Sequence, residues 1–226
     1  MNPQSPNGQQ SARLEAPEKL IPSTSKPVEL AATDGVKLRG EVAGEGDLWA
    51  ILVHDVGEDL DVWRPMRDEL LDAGFRVMSI DVRGHGVSEG DWSPETAIDD
   101  LRVAVRHARG QDARAVYLVG AGQSATAAMI AAGDEPVQAL VCLSPTAELP
   151  GIDPARIRVS RAPKLLLVGA RDEQAMANAQ TVYRKLIGWR VLESRALTEQ
   201  GTCLLAAAGN EHVFEKTIAF LRDYPG

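Results

Sequence analysis

From Trp49 onward the sequence is cut into short, continuously apolar runs separated by amphipathic stretches, and this alternation constrains the fold more than any other feature. The runs cover residues 50–54, 75–81, 115–120, 137–143, 164–169 and 189–192. A strand with one wet face alternates apolar and polar residues, whereas a strand covered on both faces reads as an unbroken apolar run. Between the runs, apolar residues recur at helical spacing. One such stripe holds Ile98, Leu101, Val105 and Ala108, another Met176, Ala179, Tyr183 and Leu186, and a third Phe214, Thr217, Ile218 and Leu221. Ser93-Pro94 before the first stripe and Asn210 before the last are expected helix starts. Strands alternating with helices predict an α/β fold, a doubly wound and mostly parallel sheet whose sites form beyond the carboxyl ends of the strands.

Upstream, residues 28–32 and 36–42 flank Asp34-Gly35, and Asp-Gly supplies the positive φ angles of tight hairpin turns. An antiparallel N-terminal hairpin is therefore expected on the edge of the sheet. Residues 1–26 are rich in Pro, Gln, Ser and Asn and short of large apolar side chains, so they are expected to form a disordered tail. Residues 27–226 then make a single domain, within the size range of α/β domains.

Composition narrows the function. The net charge is -8, and no Lys/Arg cluster offers a face that could neutralise phosphates, so nucleic acid is not an expected partner. Cys142 and Cys203 are the two cysteines, too few for a disulfide framework. No run of 18 apolar residues would span a membrane, and no basic-then-apolar leader opens the chain. A cytoplasmic location is expected unless a leader has been removed. No His/Cys/Asp spacing matches a ligand set, so neither metal nor cofactor is expected.

The chemistry concentrates at four strand ends. Residues 115–119 run into Gly120-Ala121-Gly122-Gln123-Ser124, which has the layout of strand, sharp turn and helix. That is the frame of a nucleophile elbow, in which G-x-S-x-G lifts a serine above the sheet. Ile51-Leu52-Val53-His54-Asp55-Val56-Gly57 ends one strand, and Asp81-Val82-Arg83-Gly84-His85-Gly86-Val87-Ser88 follows the next. Together these stretches resemble the α/β-hydrolase superfamily, in particular its monoglyceride-lipase-like and serine-aminopeptidase-like branch. There, a strand ending His-Gly precedes the oxyanion loop and D-x-R-G-H-G-x-S follows the next strand. The resemblance covers nearly everything after residue 28 and implies an α/β-hydrolase fold with esterase- or lipase-like chemistry.

It also implies a triad, and two members depart from it. Gly122 stands at the nucleophile position, Asp172 in Val168-Gly169-Ala170-Arg171-Asp172 takes the acid position, and Gln200 stands where the base belongs. Glycine has no nucleophilic atom, and an amide neither accepts nor returns a proton near neutral pH. Asp55, where the family has glycine, would oppose the charge that an oxyanion loop stabilises. Ser124 is the alternative nucleophile if the elbow is read two residues later. In the register with Gly122 at the apex it opens the helix, where serine commonly caps. His54, Asp55, Val56 and Gln123 are the expected binding residues. His54 and His85 are also expected to shape loops through backbone hydrogen bonds, and His107 and His212 to be solvated. The segment from Thr146 to Pro163 is too short for the lid of many relatives, and Arg156, Arg158 and Arg161 give it a basic rim. The expected protein is a pseudoenzyme that binds a small molecule or a protein; the alternative is an active ester hydrolase with a non-standard nucleophile.

Overall fold

The computed structural model describes residues 25–226. The expected tail therefore lies, up to residue 24, outside the described residues, and Lys26 already begins the first strand. The chain runs β1 (Lys26–Ala31), β2 (Lys37–Ala43), β3 (Leu48–Val53), α1 (Arg64–Asp72), β4 (Arg76–Ile80) and α2 (Pro94–Gly110). It continues through β5 (Ala115–Ala121), α3 (Gly122–Asp134), β6 (Ala139–Leu143), β7 (Lys164–Gly169), α4 (Glu173–Lys185), β8 (Arg190–Arg195) and α5 (Glu211–Arg222). Short 3-10 turns lie at Leu60–Trp63, Pro154–Arg158 and Gly201–Leu205.

The strands form one sheet in the order β1-β2-β4-β3-β5-β6-β7-β8. β1 and β2 are antiparallel, β2 meets β4 antiparallel, and every later pairing is parallel. The hairpin loop takes its positive φ at Gly35 alone, while Asp34 Oδ1 accepts from the Val36 N–H and so holds the turn. Along β3, Ile51 and Val53 face α2 and α3, whereas Ala50 and Leu52 face α1 and α5. This alternation of faces, with both faces apolar, is why the strand reads as one continuous run. β3 lies between β4 and β5, so the winding of the chain reverses there, and a crevice at the carboxyl ends of β3 and β5 follows.

The helix starts divide. Ser93 caps α2 in a capping box with Thr96, and Pro94 occupies the first turn, where its missing N–H does no harm. Asn210 does not cap α5; its backbone is already helical and its Nδ2 donates to the Leu205 carbonyl instead. On α5 the buried residues are Val213, Thr217, Phe220 and Leu221, with Phe214 and Ile218 only partly covered. α1 had no counterpart in the sequence reading. It buries Met66 and Leu70, spaced one turn apart, beneath Trp63.

Candidate functional site

The elbow is built as its sequence implies. β5 ends at Ala121 in extended conformation (φ -120°, ψ 149°), and Gly122 turns the chain into α3 at φ +52°. Gly120 is small of necessity, because a Cβ there would stand 2.9 Å from the Ala125 Cα across the turn. At Gly122 the constraint has a different origin. A methyl group added to Gly122 would overlap the Oδ2 and Cγ of Asp55, so the space of a nucleophile's side chain is filled by a carboxylate from the loop after β3.

That carboxylate is held by two backbone donors. Asp55 Oδ1 accepts from the N–H of Gln123 at 2.9 Å and from the N–H of Val56 at 2.8 Å. In this fold, the N–H of the residue after the nucleophile and an N–H from the loop after β3 form the oxyanion hole. Both donors are present here, and a side chain of the same molecule occupies them. The expectation that Asp55 lies near this loop is thus made specific: its own carboxyl accepts from both N–H groups. Burial pushes its carboxyl above the ordinary range, the two N–H groups pull it back, and neighbouring Glu58 pushes it up again.

A polar network fixes this loop. The backbone N–H of Asp55 donates to Glu58 Oε2 at 3.0 Å, and Glu58 Oε1 accepts from the Thr202 hydroxyl, which ties the β3 loop to the 3-10 turn after Gln200. His54 is fully buried and so cannot meet a ligand, which corrects its place among the binding residues. Its Nδ1 donates to the Asp55 carbonyl at 2.7 Å and its Nε2 accepts from the Val82 N–H at 3.1 Å, which assigns the neutral tautomer. Burial lowers its pKa and keeps it neutral. His85 likewise bridges backbone, with Nδ1 on the Arg83 carbonyl and Nε2 accepting from the Gly57 N–H at 2.8 Å.

The D-x-R-G-H-G-x-S stretch has the same architectural use. Asp81 accepts from the N–H groups of Leu60 and Val87, and Ser88 donates to the Asp81 carbonyl while accepting from the Arg39 N–H. Gly86 has φ +52° and lies against the Asp81 carboxylate with no room for a Cβ. Arg83 is buried and doubly paired, to Asp100 at 2.5 and 2.8 Å and to Asp34 at 2.7 Å, so the turn of the hairpin is clamped to the loop beside the site.

The segments that carry the other two triad positions touch through backbone, where the Arg171 N–H donates to the Leu197 carbonyl. Asp172 follows β7 and caps α4, its Oδ1 accepting from the Ala175 N–H at 2.8 Å. Gln200 is exposed at the start of the 3-10 turn and makes no capping bond. Gly169, at the end of β7, touches the Leu197 and Glu199 carbonyls, so the acid strand and the base loop are in contact. Ser124 lies in the first turn of α3, fully buried, and its hydroxyl has no hydrogen-bond partner among the described residues. The expected capping role of Ser124 is therefore not seen; Ala121 precedes the helix with no side-chain cap. The two other histidines are also less solvated than expected. His107 is half-buried with its ring edge-on to Trp49 at 6.4 Å, and His212 lies between Arg195 and Glu193.

Sequence reasoning missed Glu58 and Thr202, which hold the site from residues 144 positions apart. It also missed that Asp55 and Gly122 belong together. The signal available was the coincidence of a carboxylate where glycine is usual with a glycine where a side chain is usual.

The model of the alpha/beta hydrolase family matches residues 50–219. The chain belongs to that family. Among curated protein sequences, none matches it. Among solved structures, an esterase from Pyrococcus furiosus superposes with a TM-score of 0.73 at 20% identity, covering 89% of this chain and 93% of that one. The esterase domain of a Rhodothermus marinus protein gives 0.71 at 20% identity, over 89% of this chain and 100% of that domain. A serine hydrolase without a lid from Xanthomonas campestris gives 0.60 at 23% identity, over 78% and 88%. At these identities the likeness is one of fold. Between β6 and β7 this chain places only the 3-10 turn Pro154–Arg158, and the segment buries Ile152 and Ile157 in the layer of α3 and α4. Arg156 there pairs with Glu95 on α2 at 2.5 Å. No helix among the described residues is long and apolar enough to cross a membrane.

Proposed function

We propose that this alpha/beta hydrolase no longer performs serine ester hydrolysis and acts by binding a small molecule or a protein partner at the carboxyl ends of its strands. The observation that carries this is the Asp55 carboxylate on both oxyanion-hole donors. An ester's tetrahedral oxyanion needs those N–H groups, and losing one such donor costs about 10²–10³ in rate. Here both are engaged by a fixed negative charge, in a site that has no hydroxyl at residue 122 and no imidazole at residue 200. The site is reversed in sign: where a relative receives a developing anion, this chain presents one, and a ligand approaching the elbow meets the Asp55 carboxylate. Turnover of p-nitrophenyl acetate tests the reading. The expected rate is at most a trace above background, unchanged by Ser124→Ala, and turnover near one per second, whether or not Ser124→Ala abolishes it, would overturn it.

The esterase neighbours favour a second reading, an active hydrolase with another nucleophile. Ser124 suits that role poorly because its hydroxyl is enclosed. The group at the apex is the Asp55 carboxylate, so activity under this reading disappears in Asp55→Asn and survives Ser124→Ala.

A further inference from the structure

At the end of the sheet opposite the elbow lies a cavity of about 710 Å³, within the 300–1,000 Å³ range of small-molecule sites. Its walls come from the starts of β1, β3 and β4, the end of β2 and the last turn of α2. The apolar surface is Pro27, Val28, Val42 and Trp49, and the polar groups are Lys26, Glu45, Arg76, His107 and Gln111. Arg76 is the unusual member. Its guanidinium carbon stands 4.3 Å from the ring centroid of Trp49, which is fully buried, so the cation is fixed against an aromatic face. No oxygen among the described residues accepts a hydrogen bond from it, and its Nε is enclosed without a partner. The other half-buried arginines, Arg39, Arg67, Arg102, Arg156 and Arg190, all donate to oxygens. An enclosed guanidinium N–H without an acceptor among the described residues is costly, and in Arg76, unlike Arg102, no other guanidinium nitrogen donates to a described oxygen either.

We infer that this cavity is a second ligand site, distinct from the elbow, which takes a small organic carboxylate with an apolar body. Arg76 receives the carboxylate through its planar fork, and exposed Lys26 adds positive charge at the mouth. Val28, Val42 and Pro27 cover the apolar part, and buried Trp49 backs Arg76 from behind. Burial and the adjacent Arg76 cation lower the pKa of His107 and so disfavour its charged form. Glu45 at the rim disfavours a dianion, so a monoanionic carboxylate is preferred to phosphate. The site shares no residue with the elbow and does not depend on the reading given for it.

Calorimetric titration of the full chain tests this with three probes: octanoate, octanol and inorganic phosphate. Octanoate is expected to bind saturably, at least tenfold tighter than octanol or phosphate. Arg76→Gln is expected to weaken octanoate at least tenfold and Lys26→Glu severalfold, while Asp55→Asn leaves it unchanged. Lys26 is exposed, so Lys26→Glu carries the test if Arg76→Gln fails to fold. The inference is overturned if octanoate shows no saturable binding, if octanol or phosphate binds as tightly, if both cavity variants bind like wild type, or if Asp55→Asn abolishes the binding.

Discussion

Restoring a serine at the elbow, Gly122→Ser, is expected to destabilise the protein for two separable reasons. Residue 122 has φ +52°, and a side chain in the left-handed region costs about 1–2 kcal/mol, partly offset by about 0.4–1 kcal/mol because glycine is freer in the unfolded chain. The new Cβ also overlaps Asp55, so the carboxylate must leave the Gln123 and Val56 N–H groups. Hydrogen bonds to a charged group are worth about 1.5–3 kcal/mol each, and the released carboxylate regains part of that from water. The sum is roughly 3 kcal/mol for the single variant. In the background of Asp55→Gly the overlap is gone, so the serine should cost only about 1 kcal/mol. Urea unfolding of wild type, both single variants and the double variant closes the cycle. The expected coupling is about 1–3 kcal/mol, with the double variant more stable than the sum of the singles allows. Additive costs, or a stabilising Gly122→Ser, would refute the placement of Asp55 against the apex.

Two further outcomes follow from the same network. Arg83→Met leaves Asp100 buried without its cation, so unfolding free energy should fall by about 3–5 kcal/mol, and Asp100→Leu added to it should recover part of the loss. The pH dependence of Asp55 has a definite sign: its folded pKa is raised above the ordinary 3.8, so the folded state holds the proton more tightly than the unfolded one. Its contribution is therefore full below about 3.8 and is lost as pH rises through the folded value. Measured from pH 3 to 7, the stability of wild type relative to Asp55→Asn should decline with rising pH; a relative gain would contradict the assigned burial.

Much of the fold was legible because it rests on local patterns. The apolar run of β3, the Ser93-Pro94 start of α2 and the Asp34-Gly35 turn each carry their own physical cause within a few residues. The elbow was legible for the same reason, since the close turn demands Gly120 and residue 122 reverses the chain at positive φ. α1 was not, because its buried stripe is only Met66 and Leu70 in an otherwise charged stretch. Asn210 misled because the capping preference of its residue type yielded to a bond with Leu205. The content of the oxyanion hole could not be read from either strand end alone. Asp55 and Gln123 are 68 positions apart, and only the parallel pairing of β3 with β5 brings them together.

The most direct test is intact-mass labelling with a fluorophosphonate probe, comparing wild type with the triple variant Asp55→Gly, Gly122→Ser, Gln200→His. The triple variant empties the hole and rebuilds nucleophile and base beside Asp172, so it should gain the mass of one probe at position 122, while wild type remains unlabelled. Stoichiometric labelling of wild type would contradict the account.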